Sequence, residues 1–315
     1  MSRPVALLLG LALLAASAAP AAEAPDWSKI EIRSTHVAGS VWMLEGAGGN
    51  IAASIGEDGV VLVDDEFAPL AAKIQAALKS ARVTDRPVRF VINTHYHFDH
   101  SGGNGPFADA GATVLAHDNV RARLLTGTVG GNGGTVHIET AAAPRGALPV
   151  LTFDHQATVH LNGEDVRALH YPAGHTDGDA IIFFPTANVV HMGDIYVRYG
   201  FPFIDVAAGG SIDGMIAACE DVLAKLPADV RIIPGHGGLS NVAELREFTT
   251  MLKETRAAVA GAIRAGRTLE EIKSAGVLAP WSQRWSGDFI STDAYAETLW
   301  ASLHGAKDAP FVPHN

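Results

Sequence analysis

The chain has almost no cysteine: Cys219 is the only one in 315 residues. A single thiol forms no internal disulfide, so no covalent staple holds this fold even in an oxidising compartment. Positive charge is also scarce. Lys and Arg number 23 against 34 Asp and Glu, giving a formal net charge of −11, and no basic cluster interrupts the sequence. Nucleic acid and an anionic membrane surface are therefore poor partners, and a small-molecule substrate is expected instead. No internal linker rich in Pro, Ser or charge divides the chain, and no short repeat is visible.

A membrane-spanning run is missing as well. The apolar stretch at residues 5–14 is too short to cross a bilayer. It follows Arg3 and precedes small residues, which is the pattern of an export signal, with cleavage after Ala21 or after Ala24. The second cut would leave Pro25 at the new N-terminus, so residues 1–21 are expected to be a signal peptide. The alternative is a retained N-terminal anchor. The mature chain is then exported, to a bacterial periplasm or beyond, with no membrane contact after cleavage.

What is present suffices for a full core: 48% of residues are hydrophobic, and 33 glycines provide tight loops. Residues 30–37, 41–44, 51–55 and 60–63 read as a meander of strands, with a hairpin turn at 57–59. Asp64, Asp65 and Glu66 end it and read as a solvated loop before a helix, although Asp64 could instead sit beneath a metal site. An amphipathic helix is expected at 69–81, a buried strand at 88–92, a short strand at 113–116 and a short helix at 119–125. Residues 126–146, with six glycines, read as a long mobile loop in which His137 is exposed. Strands resume at 150–153, 157–161, 165–170, 180–184 and 189–191. A helix at 212–226, holding Cys219 as a buried structural thiol, precedes a strand at 230–233. Helices follow at 242–265, 269–275 and 293–303. Alternating strands and helices indicate a layered α/β domain.

The most informative stretch is His95-Tyr96-His97-Phe98-Asp99-His100, directly after the buried strand at 88–92. In an extended segment, side chains at i and i+2 point the same way, so His95 and His97 can reach one metal together. Asp99 and His100 come where the chain turns and can be aimed at a second point nearby. Imidazole with carboxylate suits zinc, iron or manganese better than calcium or magnesium. Two sites need more ligands, and three later positions supply them: His175, Asp194 and His236. Each is preceded by a glycine that would let the chain turn sharply.

As a set, the motif His95-x-His97-x-Asp99-His100 followed by His175, Asp194 and His236 resembles the metallo-β-lactamase superfamily over nearly the whole mature chain. The resemblance implies a four-layer αββα sandwich with the metal site at one edge, so that residues 22–315 form a single catalytic domain. It implies two Zn2+ per chain, with iron or manganese as substitutes. His95, His97 and His175 would hold the first metal, Asp99, His100 and His236 the second, and Asp194 would bridge them. The chain departs from the β-lactamases with a cysteine ligand, which place cysteine where Asp194 stands and arginine where His100 stands. A bridging aspartate looks more like glyoxalase II and the lactonases.

The ligand set implies hydrolysis. A hydroxide shared by two metals about 3.5–4 Å apart would attack a carbonyl carbon, with Asp99 orienting it. The expected substrate is a cyclic amide or ester such as a β-lactam or lactone. Thioester hydrolysis of the glyoxalase II type, an iron-dependent sulfur dioxygenase and a non-catalytic periplasmic metal binder are the alternatives. Phe201, Phe203 and Ile204 could wall the cleft or pack in the core, Arg198 could anchor a substrate carboxylate, and Trp281 and Trp285 could cover the cleft or pack between helices. His170 and His191 are expected to be structural.

Overall fold

The structure, a computed structural model, describes residues 25–81 and 85–305. The expected signal peptide at 1–21 lies outside them. Among the described residues no helix is long and apolar enough to cross a membrane.

Two sheets dominate. The first contains β1 (Arg33–Ala38), β2 (Val41–Glu45), β3 (Ile51–Gly56), β4 (Gly59–Val63), β5 (Val88–Ile92) and β6 (Thr113–His117). After a separate ribbon of β7 (Thr128–Gly131) and β8 (His137–Thr140), β9 (Leu151–Phe153) completes it at the edge, in the order β1-β2-β3-β4-β5-β6-β9. The second sheet runs in sequence order: β10 (Gln156–Leu161), β11 (Glu164–His170), β12 (Ala180–Phe184), β13 (Val189–His191) and β14 (Arg231–Ile233). Hairpin-linked strands pair antiparallel, whereas β4-β5, β5-β6, β6-β9 and β13-β14 are parallel pairs.

The two-residue period of the strands sorts the apolar side chains into layers. On β4, Val61 and Val63 face the second sheet, while Val60 and Leu62 face outward. On β12 and β13, Ile182 and Val189 face the first sheet, and Ile181 and Val190 face the opposite way. The first sheet's outer face is covered by α1 (Ala71–Ala81), through Ile74 and Leu78, and by α3 (Asn104–Asp109), through Phe107. The second sheet's outer face is covered by α5 (Ile212–Lys225), α6 (Val242–Arg264) and α9 (Thr292–Gly305). The result is the αββα sandwich that the resemblance implied. Cys219 is buried on α5, where burial pushes its thiol up to about 12, as expected of a structural residue.

The structure corrects the sequence reading of residues 126–146. They are not a structureless loop but the β7-β8 ribbon, and its tip is tied down. Asn132 accepts from the amides of Gly134 and Val136 and donates to the Ala294 carbonyl. Glu297 of α9 accepts from the Thr135 amide and hydroxyl and pairs with Lys273. The glycines that suggested mobility permit close packing instead: a Cβ at Gly134 would fall 2.4 Å from Glu297 Oε2. Shorter helices are α4 (Asp118–Thr126), α7 (Leu269–Ser274) and α8 (Ala279–Trp285), the last of which was also not foreseen.

Phe184 is wholly buried between the two sheets. Phe184→Ala should cost about 3–5 kcal/mol, measured as a lowered urea midpoint at unchanged denaturant slope.

Candidate metal centre

The parallel strands β4 and β5 end side by side, and the residues after them make the floor of the site. Past Ile92, Asn93 and Asn104 exchange a reciprocal pair of amide hydrogen bonds of 3.0 and 2.9 Å, which locks the bend. The chain then passes through His95 and His97 into α2 (Phe98–Ser101), a single helical turn carrying Asp99 and His100. The His95 and His97 rings lie 4.8 Å apart, edge to face. β11 and β12 are joined by the loop bearing His175, Asp194 stands in the turn after β13, and His236 follows β14.

All seven candidate ligands meet. His95, His97 and His175 form one group and Asp99, His100 and His236 a second, and within each the ligand atoms lie within 4.8 Å of one another. His95, His100 and Asp194 form a third group that joins the other two. Asp194 reaches both sides: Oδ1 is 3.2 Å from His100 Nε2, and Oδ2 is 3.4 Å from His236 Nε2 and 3.8 Å from His175 Nε2. Asp99 Oδ2 lies 3.3 Å from His236 Nε2. The first group is deeply buried, whereas the side chains of Asp99 and His236 are 23% and 24% exposed, so the site opens on their side.

Of the buried ligand atoms, His95 Nε2 has no hydrogen-bond partner, and Asp194 Oδ1 has only its 3.2 Å ion-pair contact with His100. Leaving such atoms unpaired is costly unless something else binds them. Burial pulls His95 well below the usual imidazole range, and it pulls His175 down to about 4, which keeps both rings neutral and able to donate a lone pair. At the second group burial opposes the charged rings, but the carboxylates of Asp194 and Asp99 overcome it. His100 is held well above its usual range, and His236 is raised to about 9. Protons there balance the two carboxylates in the metal-free chain. The donor set therefore fits a pair of cations.

The outer nitrogens are held too, which fixes each ring's tautomer and aim. His100 Nδ1 lies 2.8 Å from Asp64 Oδ2, His97 Nε2 3.0 Å from Asp205 Oδ2, and His175 Nδ1 2.8 Å from the Phe203 carbonyl. His95 Nδ1 lies 3.0 Å from Thr94 Oγ1, and that hydroxyl donates to Asp64. Asp64, Asp65 and Glu66 are therefore not the solvated loop the sequence suggested: all three are fully buried. They end a central strand directly under the histidine motif. Asp65 accepts from the Gly103 amide, and Glu66 accepts from the amides of Ala47 and Gly48.

Several residues that matter here gave no sequence signal. Asp205 accepts from Tyr96 Oη and from the amides of Gly131 and Ala208 while pairing with His97, so one carboxylate ties a candidate ligand to the ribbon. Asn50 donates to the Pro234 and Gly237 carbonyls and clamps the His236 loop. Asn50 is braced in turn by His191, whose Nε2 lies 2.8 Å from the Asn50 carbonyl. His170 stacks on His117 at 3.6 Å and plays no part at the ligand cluster.

Other expectations change with the structure. Of the three glycines before the later ligands, only Gly193 has a positive φ, 49°. Gly235 serves close approach, since a Cβ would lie 2.0 Å from Asp194 Oδ1. Arg198 is not free to anchor a substrate carboxylate: it donates to the Gly238 and Leu239 carbonyls and pairs with Glu244. Phe201 and Ile204 are core residues. Phe203 is also buried, but its ring lies 5.8 Å from His97 and 5.7 Å from His175. Trp281 and Trp285 pack against the helical layer.

Comparison with known proteins agrees with this fold. The family model of the metallo-beta-lactamase superfamily matches residues 39–236, and the chain belongs to that superfamily. It is 28% identical over 169 residues to a hydroxyacylglutathione hydrolase of Polaromonas sp. (strain JS666 / ATCC BAA-500), covering 53% of this chain and 55% of that protein. It is 24% identical over 160 residues to the alpha subunit of a 2,4-dinitroanisole O-demethylase of Nocardioides sp. (strain JS1661), covering 50% and 44%. The chain thus spans about half the length of these curated relatives. Among solved structures, a metallo-beta-lactamase from Pontibacter korlensis superposes with a TM-score of 0.58 at 16% identity, covering 71% of this chain and 99% of that one.

Asp205→Asn would keep the shape but place an amide where a carboxylate faces His97. Zinc affinity, measured by competition with a chromogenic chelator, should fall about 10–100-fold, and the Gly131 amide should exchange faster with solvent.

Proposed function

We propose that this chain is an exported binuclear zinc hydrolase acting on a cyclic amide or ester, such as a β-lactam or a lactone. The observation that carries the reading is the convergence of two ligand groups on Asp194, with four of the rings braced from behind. Two zinc ions held there would supply Lewis acidity that activates water and polarises a carbonyl oxygen. His95, His97 and His175 would hold one ion, His100, His236 and Asp99 the other, and Asp194 both. Asp99 is the more open of the two carboxylates at the centre and lies beside His236, and in this reading it would orient the attacking water and hold that water's proton. The buried first group excludes solvent from behind, so substrate must approach past Asp99 and His236.

Thioester hydrolysis is the second reading, favoured by the match to a hydroxyacylglutathione hydrolase. Against it, four cations of the C-terminal segment are already engaged, Lys253 with Glu220, Arg256 with Asp213, Lys273 with Glu297 and Arg284 with Glu247, whereas Arg246, Arg264 and Arg267 are exposed. An anionic thioester carrier would have to displace those partners to use the four.

Purified mature protein should contain two zinc ions per chain and hydrolyse nitrocefin or a simple lactone. Exhaustive chelation should abolish turnover, and zinc should restore it. Undiminished hydrolysis after chelation would sink the reading. A single iron with no hydrolysis would point to oxidative sulfur chemistry instead.

Asp194→Ala should remove the bridge between the groups. We expect a loss of at least one zinc by metal analysis and a fall in kcat of about 100-fold or more, on the scale of lost electrostatic stabilisation in a water-poor site.

A further inference from the structure

Phe289 lies in the turn between α8 and α9, beyond the residues that the superfamily model matches. It is a large ring left 49% exposed. One exposed phenylalanine is ordinary, but this one is held in place beside the candidate metal centre. The Phe201 amide donates to the Trp285 carbonyl at 2.6 Å, the Gly287 amide donates to the Ile290 carbonyl at 3.0 Å, and the Thr292 amide donates to Ser286 Oγ at 3.1 Å. Ile290 is buried, and Phe201 stacks on Tyr295 of α9 at 4.3 Å. The turn is thus strapped across residues 199–203.

That strap sets Phe289 against two other rings, 5.6 Å from Tyr199 and 5.9 Å from Phe203. Tyr199 lies 5.7 Å from His236, and Phe203 lies beside both His97 and His175. Phe289 is therefore one ring away from candidate ligands of both groups, on the side where His236 is open. The Tyr199 hydroxyl accepts from the Phe203 amide, which fixes that ring. The basic groups beside Tyr199, Arg198 and Arg284, are both in ion pairs.

We infer that Phe289, flanked by Tyr199 and backed by the buried Phe203, forms an aromatic shelf that binds an uncharged aryl or bulky apolar group of the substrate next to the reacting carbonyl. Phe289 is thus a specificity residue supplied by the C-terminal helical segment. Half-exposed aromatic surface gains by covering, and edge-to-face contact with a further ring adds to that gain. Neither Arg198 nor Arg284 is free to receive a carboxylate-bearing group. The inference rests on the metal-dependent reading for the position of the reacting atom.

The test compares two metal-seeking probes, benzohydroxamic acid and acetohydroxamic acid, by calorimetric titration of the zinc-loaded full chain. Wild type should bind the phenyl probe about tenfold more tightly. Phe289→Ala should narrow that preference to about twofold while leaving acetohydroxamic acid binding unchanged, and Phe289→Leu should fall between. No preference in wild type, a preference untouched by Phe289→Ala, or an equal loss for both probes would overturn the shelf. Turnover of a phenyl-substituted and a methyl-substituted lactone is measured alongside. If the binding preference holds and neither lactone is hydrolysed, the shelf stands and the hydrolase reading falls. If both are hydrolysed and Phe289→Ala is indifferent, the shelf alone falls.

Discussion

Five imidazoles and two carboxylates are crowded into one pocket, and most of them are shut away from water. Groups of this kind repel, desolvate one another and cannot all be satisfied by hydrogen bonds, as the unpaired His95 Nε2 attests. Within the protein alone, the compromise is to keep His95 and His175 neutral and to let Asp99 and Asp194 face charged His100 and His236. Much of the surrounding structure holds that arrangement against its own cost. A pair of cations would relieve it at the same points.

The bracing is what turns a cluster into a site. Each carboxylate beneath the rings has more than one task. Asp64 holds His100 while accepting from the Thr94 amide and hydroxyl. Asp205 holds His97 while accepting from the ribbon. Glu66 holds the glycine-rich turn, and Asn50 from that turn clamps the His236 loop. Two sheets and one ribbon thereby meet at a single place, and the ribbon's far tip is fastened to α9 by Glu297. Rigid support of this kind keeps ligand atoms within coordination range.

The strands were legible because their apolar residues follow local periodicities. β5, β12 and β13 lie where the sequence placed them, and the other strands of the two sheets shift by one to three residues at one end or both. The ribbon was missed because glycine suggests freedom when read alone. Its order comes from Glu297 and Asn132, whose contacts span 162 residues. The acidic run Asp64-Asp65-Glu66 was misread for a similar reason. Acids after a strand are ordinarily solvated, and only the stacking of α2 and the Gly46–Asn50 turn above them makes this run interior.

The sequence by itself determined which side chains are available for metal chemistry and which segments present them at strand ends, because ligand type and strand period are properties of neighbouring residues. Only the tertiary structure decided which distant groups lie behind them. Asp64 meets His100 across 36 residues, Asp205 meets His97 across 108, and Phe289 meets Tyr199 and Phe203 from the turn before α9. Such meetings depend on how two sheets stack and on how the C-terminal helices close over one edge. No local pattern in the chain encodes them.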